Sequence, residues 1–338
     1  MAHVAVIGTT GWGTTLAVIL ARREIPVALW ARTGEEAERL GRDRQHAQRL
    51  PGVPFPPTLT VTASVAEALA KANLVVYAVP SNWLRWNVQA TAAHLPRRCL
   101  VLAACKGLER DTSKRMSQVL AEELSPRQQG AICVLSGPNL ALEIAAGKPA
   151  STVVASEREE TAVKAQETLN STSFRVYTNT DVTGVELGGA LKNIVAIGAG
   201  ISDGLGYGNN AKAAFITRGL AEITRLGVAA GANPLTFAGL AGLGDLVATC
   251  NSSLSRNRHV GEQLARGRKL EEVLASMHQV AEGVDTTAAA LGMARGLGVE
   301  MPIAEVTYRV LFEGLDIHHA IAELMGRAPR PEWSGIRQ

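Results

Sequence analysis

The sequence predicts an α/β fold in which a domain built on a mostly parallel sheet, residues 1–180, precedes an all-α domain over residues 181–338. Three observations predict it. The 338 residues suit two domains rather than one, at about 150 residues each. Before about residue 180, short β-branched apolar runs alternate with helical segments, as parallel strands covered on both faces by helices require. Beyond Asp181 the strand pattern stops and only helical runs follow.

In chain order, His3–Gly8 (HVAVIG) reads as a buried strand, followed by a turn and a helix from about Trp12 to Arg23. Pro26–Arg32 is the second strand. The Pro-rich Leu50–Thr58 is a loop or an edge connection, because proline cannot donate to a ladder. Ser64 and Glu67 have capping-box spacing and open a helix ahead of the strand Asn73–Pro80. Cys99–Lys106, Ala131–Ser136 and Ser151–Ala155 repeat the strand theme, and Phe174–Tyr177 ends it. Helices then cover Val182–Ile201, Asn210–Ala230, Arg256–Arg266, Thr286–Gly296 and Ile303–Glu313.

Composition removes several function classes. The net charge is only +3 and aromatic residues make up 4%, which argues against a nucleic-acid footprint or a base-stacking surface. The longest charge-free stretch, Leu226 to Gly244, is broken by Pro234 and five glycines, so no membrane span is expected there. No signal peptide precedes the first strand. Cys99, Cys105, Cys133 and Cys250 lack C-x-x-C or zinc spacing and read as reduced thiols in a cytoplasmic protein, with no metal site.

The turn after the first strand reads Gly8-Thr9-Thr10-Gly11-Trp12-Gly13. A dinucleotide-binding, Rossmann-like turn carries G-x-G-x-x-G, whose middle glycine lets the backbone approach a pyrophosphate. Gly8 and Gly13 hold the outer positions and Thr10 the middle one, so either the fingerprint is broken or the turn holds no ligand. A branched side chain at the closest approach predicts weaker binding by about 1 kcal/mol, and a tighter complex for Thr10→Gly. No acid stands at the end of the second strand to take ribose hydroxyls; Arg32 is placed there to receive the 2′-phosphate of NADP, unless it is an ordinary solvated arginine.

Three polar clusters lie in otherwise apolar or Gly-rich runs. Lys106 ends a strand at the carboxyl edge of the sheet, where open α/β sheets bind ligands. Only eight of the 34 cations are lysines, which sharpens the signal of each. Lys192 sits one turn beyond Gly188 and Gly189, on a face without bulky neighbours; a glycine-lined helix crossing with an outward-reaching lysine is the alternative. Asp245 follows Gly242-Leu243-Gly244. Ser255, Arg256 and Asn257 open a helix and combine hydroxyl, guanidinium, amide and backbone donors into an anion site, or simply cap the helix.

With these residues in place, the chain resembles bacterial NAD(P)-dependent glycerol-3-phosphate dehydrogenases over nearly its whole length. GWGTTLA, the Lys106-Gly107 pair, SGPNLALEI from Ser136, and the long block Gly184–Ala214 carry the resemblance. AGLGDLVATC, SRNR, AEGVDTT and MPIAEVTYRVLFEG continue it. It implies reduction of dihydroxyacetone phosphate to sn-glycerol 3-phosphate for phospholipid synthesis, with NADP or NAD as cofactor and NADPH favoured. It implies that Lys192 donates and accepts the proton. Substrate contacts would fall on Lys106, Gly137, Asn139, Lys192, Asp245, Ser255, Arg256 and Asn257. Cofactor contacts would fall on Gly11, Trp12, Arg32, Lys106, Ala141, Arg256, Val280 and Glu282, beside the glycines Gly8 and Gly13 of the turn. The chain departs from the family pattern at Thr10 and Gly11, at Thr33, and at Asn209, where an aspartate is usual.

Two other readings compete: a two-domain reductase of a hydroxy acid, and a dinucleotide-sensing regulator without turnover. The first would use a K-x-x-N spacing at Lys192, and position 195 is Val; the second would leave Lys192, Asp245 and Arg256 without purpose. Crowding by Lys106 and burial would lower the Lys192 pKa, and Asp245 would oppose them. Oligomeric state is left open, a homodimer being one option.

Overall fold

The computed structural model describes residues 2–277, 279–329, 331 and 332. Eight strands, β1 (Val4–Ile7), β2 (Val27–Trp30), β3 (Leu59–Thr62), β4 (Leu74–Tyr77), β5 (Leu100–Ala103), β6 (Ile132–Ser136), β7 (Ala150–Ala155) and β8 (Phe174–Asn179), form one sheet. Its order is β3-β2-β1-β4-β5-β6-β7-β8. All neighbours run parallel except β6 and β7, which pair antiparallel with Val134 opposite Ala155. β1 and β4 are buried along their whole length, so their sequences show continuous apolar runs rather than alternation. The chain order reverses between β1 and β4, and open α/β sheets bind ligands at such a switch point.

Helices α1 (Gly11–Ala21), α2 (Gly34–Asp43), α3 (Val65–Leu69), α4 (Leu84–Thr91), α5 (Met116–Glu123), α6 (Pro126–Gln129), α7 (Ala141–Ala145) and α8 (Glu159–Leu169) accompany the sheet. The edge strand β3 has no counterpart in the sequence reading. It has only four residues, is half exposed and pairs with β2 alone, so no buried run announces it. Ser64 caps α3 by accepting the Glu67 N–H at 3.3 Å. The Glu67 carboxylate accepts from Thr62 at 2.6 Å, while the Ser64 N–H donates to the Thr62 hydroxyl at 3.1 Å, so only half of the capping box forms.

The chain divides into two compact units. The first comprises Met1–Cys105 and Met116–Val182, the second Lys106–Arg115 and Thr183–Gln338. The second unit holds α9 (Val182–Gly204), α10 (Gly208–Ala229), α11 (Pro234–Phe237), α12 (Asp245–Asn251), α13 (Arg256–Ala265), α14 (Leu270–Ala275), α15 (Glu282–Leu297), α16 (Pro302–Phe312) and α17 (Ile317–Met325). By length and composition α9 could cross a membrane, but 83% of its apolar window is buried inside the fold, as in the central helix of a bundle. The short α11, α12, α14 and α17 were not legible in sequence.

Residues 106–115 leave the sheet and join the helices. Leu108 is buried in a core cluster with Leu187 and Leu191, and it forms a β-bridge with Arg115. The Arg115 guanidinium lies 2.6 Å from the Glu186 carboxylate of α9, closing the segment onto that helix.

Candidate active site

Gly188 brings α9 against the segment before α12. A Cβ at Gly188 would stand 2.7 Å from the Ala241 carbonyl oxygen, so only glycine permits this approach. Leu240–Gly244 makes one π turn there, a geometry frequent at functional sites, and delivers Asp245 to the start of α12. The glycine-lined crossing is therefore present, but Lys192 does not reach outward: it is 5% exposed.

Lys192 Nζ donates to Asp245 Oδ1 and, at 2.6 Å, to the Thr249 hydroxyl. Lys106 Nζ, carried in by the 106–115 segment, donates to the other oxygen, Asp245 Oδ2, at 2.7 Å. One carboxylate, 1% exposed, thus holds two ammonium groups. Two ammonium groups sharing one carboxylate suit an anionic ligand. Burial is the largest influence on Lys192 and outweighs Asp245; with Lys106 adding to it, the pKa falls to about 8. A lysine poised there can stabilise a developing oxyanion and then give it a proton.

Ser255 caps α13, accepting the Arg258 N–H at 3.3 Å, so its hydroxyl acceptor is already used by the helix. The Asn257 amide is also engaged. Its Nδ2 donates to Asn193 Oδ1 at 2.8 Å and its Oδ1 accepts the Gly283 N–H at 2.9 Å, tying α13 to α9 and α15. What Asn257 keeps for a ligand is the second N–H of its amide and its backbone N–H in the first turn. Arg256 is exposed and donates to the Val280 carbonyl at 2.8 Å, beside Glu282 in the first turn of α15. Lys106, Lys192, Asp245, Ser255, Arg256, Asn257, Val280 and Glu282 all belong to the second unit. A cavity of about 1250 Å3 elsewhere in this unit, lined by Phe215, Glu222 and Ile303 among others, contains none of them.

The other predicted residues lie in the first unit. Gly8 has φ +109°, and a Cβ there would stand 2.7 Å from Val79; a Cβ on Gly13 would stand 2.2 Å from the Gly8 carbonyl oxygen. Both outer glycines are therefore demanded by the turn itself. The Thr10 hydroxyl turns inward, donating to the Ala78 carbonyl at 2.6 Å and accepting the Gly13 N–H at 3.0 Å. That leaves the N–H groups of Gly11 and Trp12 as the open donors of the first turn of α1, where no acid stands. Trp12 packs edge-on against Phe174, and its buried indole Nε1 has no partner among the described residues. Ala141 opens α7, and its carbonyl accepts from Thr15 of α1 at 3.3 Å. Gly137, with φ +139°, follows β6. Asn139 donates to Thr152 at 3.1 Å and keeps a buried Oδ1 without a partner among the described residues. Arg32 is exposed just past β2.

Residues 3–162 match the family model described as the NAD-dependent glycerol-3-phosphate dehydrogenase N-terminus, and residues 181–322 match the model of its C-terminus. The chain belongs to this family. It is 54% identical to glycerol-3-phosphate dehydrogenase (NAD(P)+) of Dehalococcoides mccartyi, covering 99% of this chain and 94% of that one. The enzyme of the same name from Chlorobium limicola is 49% identical over 98% of this chain and 99% of its own. The crystal structure of glycerol-3-phosphate dehydrogenase from Coxiella burnetii superposes with a TM-score of 0.91 at 36% identity, covering 96% of this chain and 99% of that one.

Two site residues were not anticipated. Thr249 lies four residues after Asp245, on the same helical face. That spacing is visible in the sequence but is shared by every helix. Asn193 is next to Lys192, and only its partner Asn257, 64 positions away, reveals its use.

Proposed function

We infer that the chain catalyses the NAD(P)H-dependent reduction of dihydroxyacetone phosphate to sn-glycerol 3-phosphate, and the reverse. The family and its full-length relatives support this over a hydroxy-acid reductase or a sensor. The single structural observation that carries the mechanism is the Lys192–Asp245–Lys106 cluster, a buried and positively charged proton donor.

The turn after β1 fits a dinucleotide: two obligatory glycines, open N–H groups at the start of an 11-residue helix, and no acid in the first turn of that helix. Gly11 and Trp12 would hold it through their backbone, with Arg32 toward a 2′-phosphate and Ala141 beside α1. When bound, the nicotinamide would supply the hydride. Lys192 orients the substrate carbonyl, stabilises the alkoxide as negative charge develops and transfers its proton to that oxygen. Asp245 holds the ammonium in place, Thr249 fixes its direction, and Lys106 adds the second positive charge. Arg256 and the α13 N–H groups bind the phosphate, so that binding energy remote from the carbonyl aligns it. Gly137 and Asn139 complete the substrate contacts by resemblance to the family, Val280 and Glu282 the cofactor contacts.

Free, mostly buried thiols fit a reducing cytoplasm as the place of action. The test is direct. Adding dihydroxyacetone phosphate to the purified chain with NADPH should abolish the reduced-nicotinamide absorbance, and dihydroxyacetone without its phosphate should do so far more slowly. No loss with either nicotinamide would refute the assignment.

A further inference from the structure

β2 ends without an acid, yet a carboxylate reaches the same corner from the next helix. Glu36, in the first turn of α2, accepts the Thr9 hydroxyl at 2.7 Å, which holds it against the turn one residue past Gly8. Its backbone is fixed as well: the Glu36 N–H donates to the hydroxyl of Thr33, the N-cap residue that follows Arg32, at 3.2 Å. The helix start thus presents Arg32 and Glu36 together at the end of β2, one of each charge. Within electrostatic reach of Glu36 and Thr9 lies His46, 1% exposed. Burial, Arg49 and Arg39 lower its pKa against the opposing pull of Glu36 and Thr9, so at neutral pH the ring brings no positive charge to this corner.

We propose that Glu36 is a specificity-determining residue for the dinucleotide, accepting a ribose hydroxyl and disfavouring a 2′-phosphate, in opposition to Arg32. A carboxylate near a ribose accepts a hydrogen bond from the diol, whereas the same carboxylate repels a phosphate in that place. Thr9 acts as its tether, occupying one oxygen and leaving the other directed by the same bond. The pairing gives an enzyme with no steep preference for either nicotinamide, each residue favouring one of them. This rests on the dinucleotide reading of the β1–α1 turn.

The test is binding rather than turnover. Dissociation constants of NADH and NADPH are read from nicotinamide fluorescence for the full chain and for Glu36→Gln, Arg32→Ala and Thr9→Val, each checked for an unchanged melting temperature. In Glu36→Gln the NADPH/NADH affinity ratio should rise about three- to tenfold, the scale of one hydrogen bond gained or lost. Arg32→Ala should lower that ratio, and Thr9→Val should raise it less than Glu36→Gln does. Equal changes for both dinucleotides in Glu36→Gln, or none, would overturn the proposal. A wild-type chain that binds neither would instead overturn the dinucleotide reading on which it rests.

Discussion

Around Lys192 the groups that can meet a ligand are buried side chains; around the β1–α1 turn, where the Thr9 and Thr10 hydroxyls are already hydrogen-bonded, they are the main-chain N–H groups of Gly11 and Trp12. The first arrangement needs charges brought from three places in sequence, residues 106, 192 and 245, and held by one carboxylate. The second needs only that the backbone pass close to itself, which Gly8 and Gly13 allow. The difference decides how each region responds to change. A substitution in the cluster leaves a buried charge exposed to its neighbours, whereas one in the turn alters geometry and capping.

The sharpest break is Lys192→Ala. Loss of the proton donor should lower kcat by about a hundredfold or more, the usual scale of general acid–base catalysis, while the NADPH dissociation constant stays within twofold. Near-normal turnover would move the proton transfer to another group. Arg256→Ala comes next. Removing a charged hydrogen-bond donor to phosphate should raise KM for dihydroxyacetone phosphate by about ten- to a hundredfold, with little effect on the unphosphorylated ketone. An equal loss on both substrates would make Arg256 structural, through its bond to Val280.

The two regions also differ in how far they could be read in advance. The alternation of apolar runs and helices was enough for seven of the eight strands, because the central ones are buried on both faces and have no polar positions to confuse the pattern, whereas the half-exposed edge strand β3 has no such run. Gly8, Gly13, Lys106, Lys192 and Asp245 stood out by residue type against their surroundings. The 106–115 segment did not, because nothing local says that Leu108 is buried among the helices of the second unit. The inward turn of Thr10 and the reach of Glu36 to Thr9 were equally hidden, since both depend on partners 68 and 27 residues away. The same holds for the question of whether burial or Asp245 would govern Lys192, which is a balance of distances and solvent access.

That balance gives a pH prediction. With the Lys192 pKa lowered to about 8, reduction requires the protonated form, so kcat should be level below pH 8 and fall above it. Oxidation of glycerol 3-phosphate requires the neutral amine and should rise through the same range. Asp245→Asn removes the group that raises this pKa and leaves Lys106, which lowers it. Both limbs should then move to lower pH, read from rate profiles in the two directions. Unmoved profiles would separate the titrating group from Lys192.

The smallest effect concerns Thr10, where the geometry of the turn favours the opposite outcome to the one expected from the sequence. A threonine in place of the middle glycine predicted a steric penalty on the pyrophosphate, and tighter NADPH binding in Thr10→Gly. The Thr10 backbone lies at φ −61° and ψ 162°, an extended conformation that asks nothing of glycine. Its hydroxyl is engaged on both sides, donating to Ala78 and accepting from Gly13, so the side chain joins the end of β4 to the first turn of α1. Glycine would keep a tolerable N-cap but would lose the bond to Ala78 and add freedom to the unfolded chain. Thr10→Gly should therefore cost about 1 kcal/mol of stability, seen as a lower denaturant midpoint at constant slope. NADPH affinity should change by less than twofold, because the Gly11 and Trp12 N–H groups do not depend on that hydroxyl. A several-fold tighter complex would show that the Thr10 side chain does stand in the way of the pyrophosphate, and that the turn is limited by sterics after all.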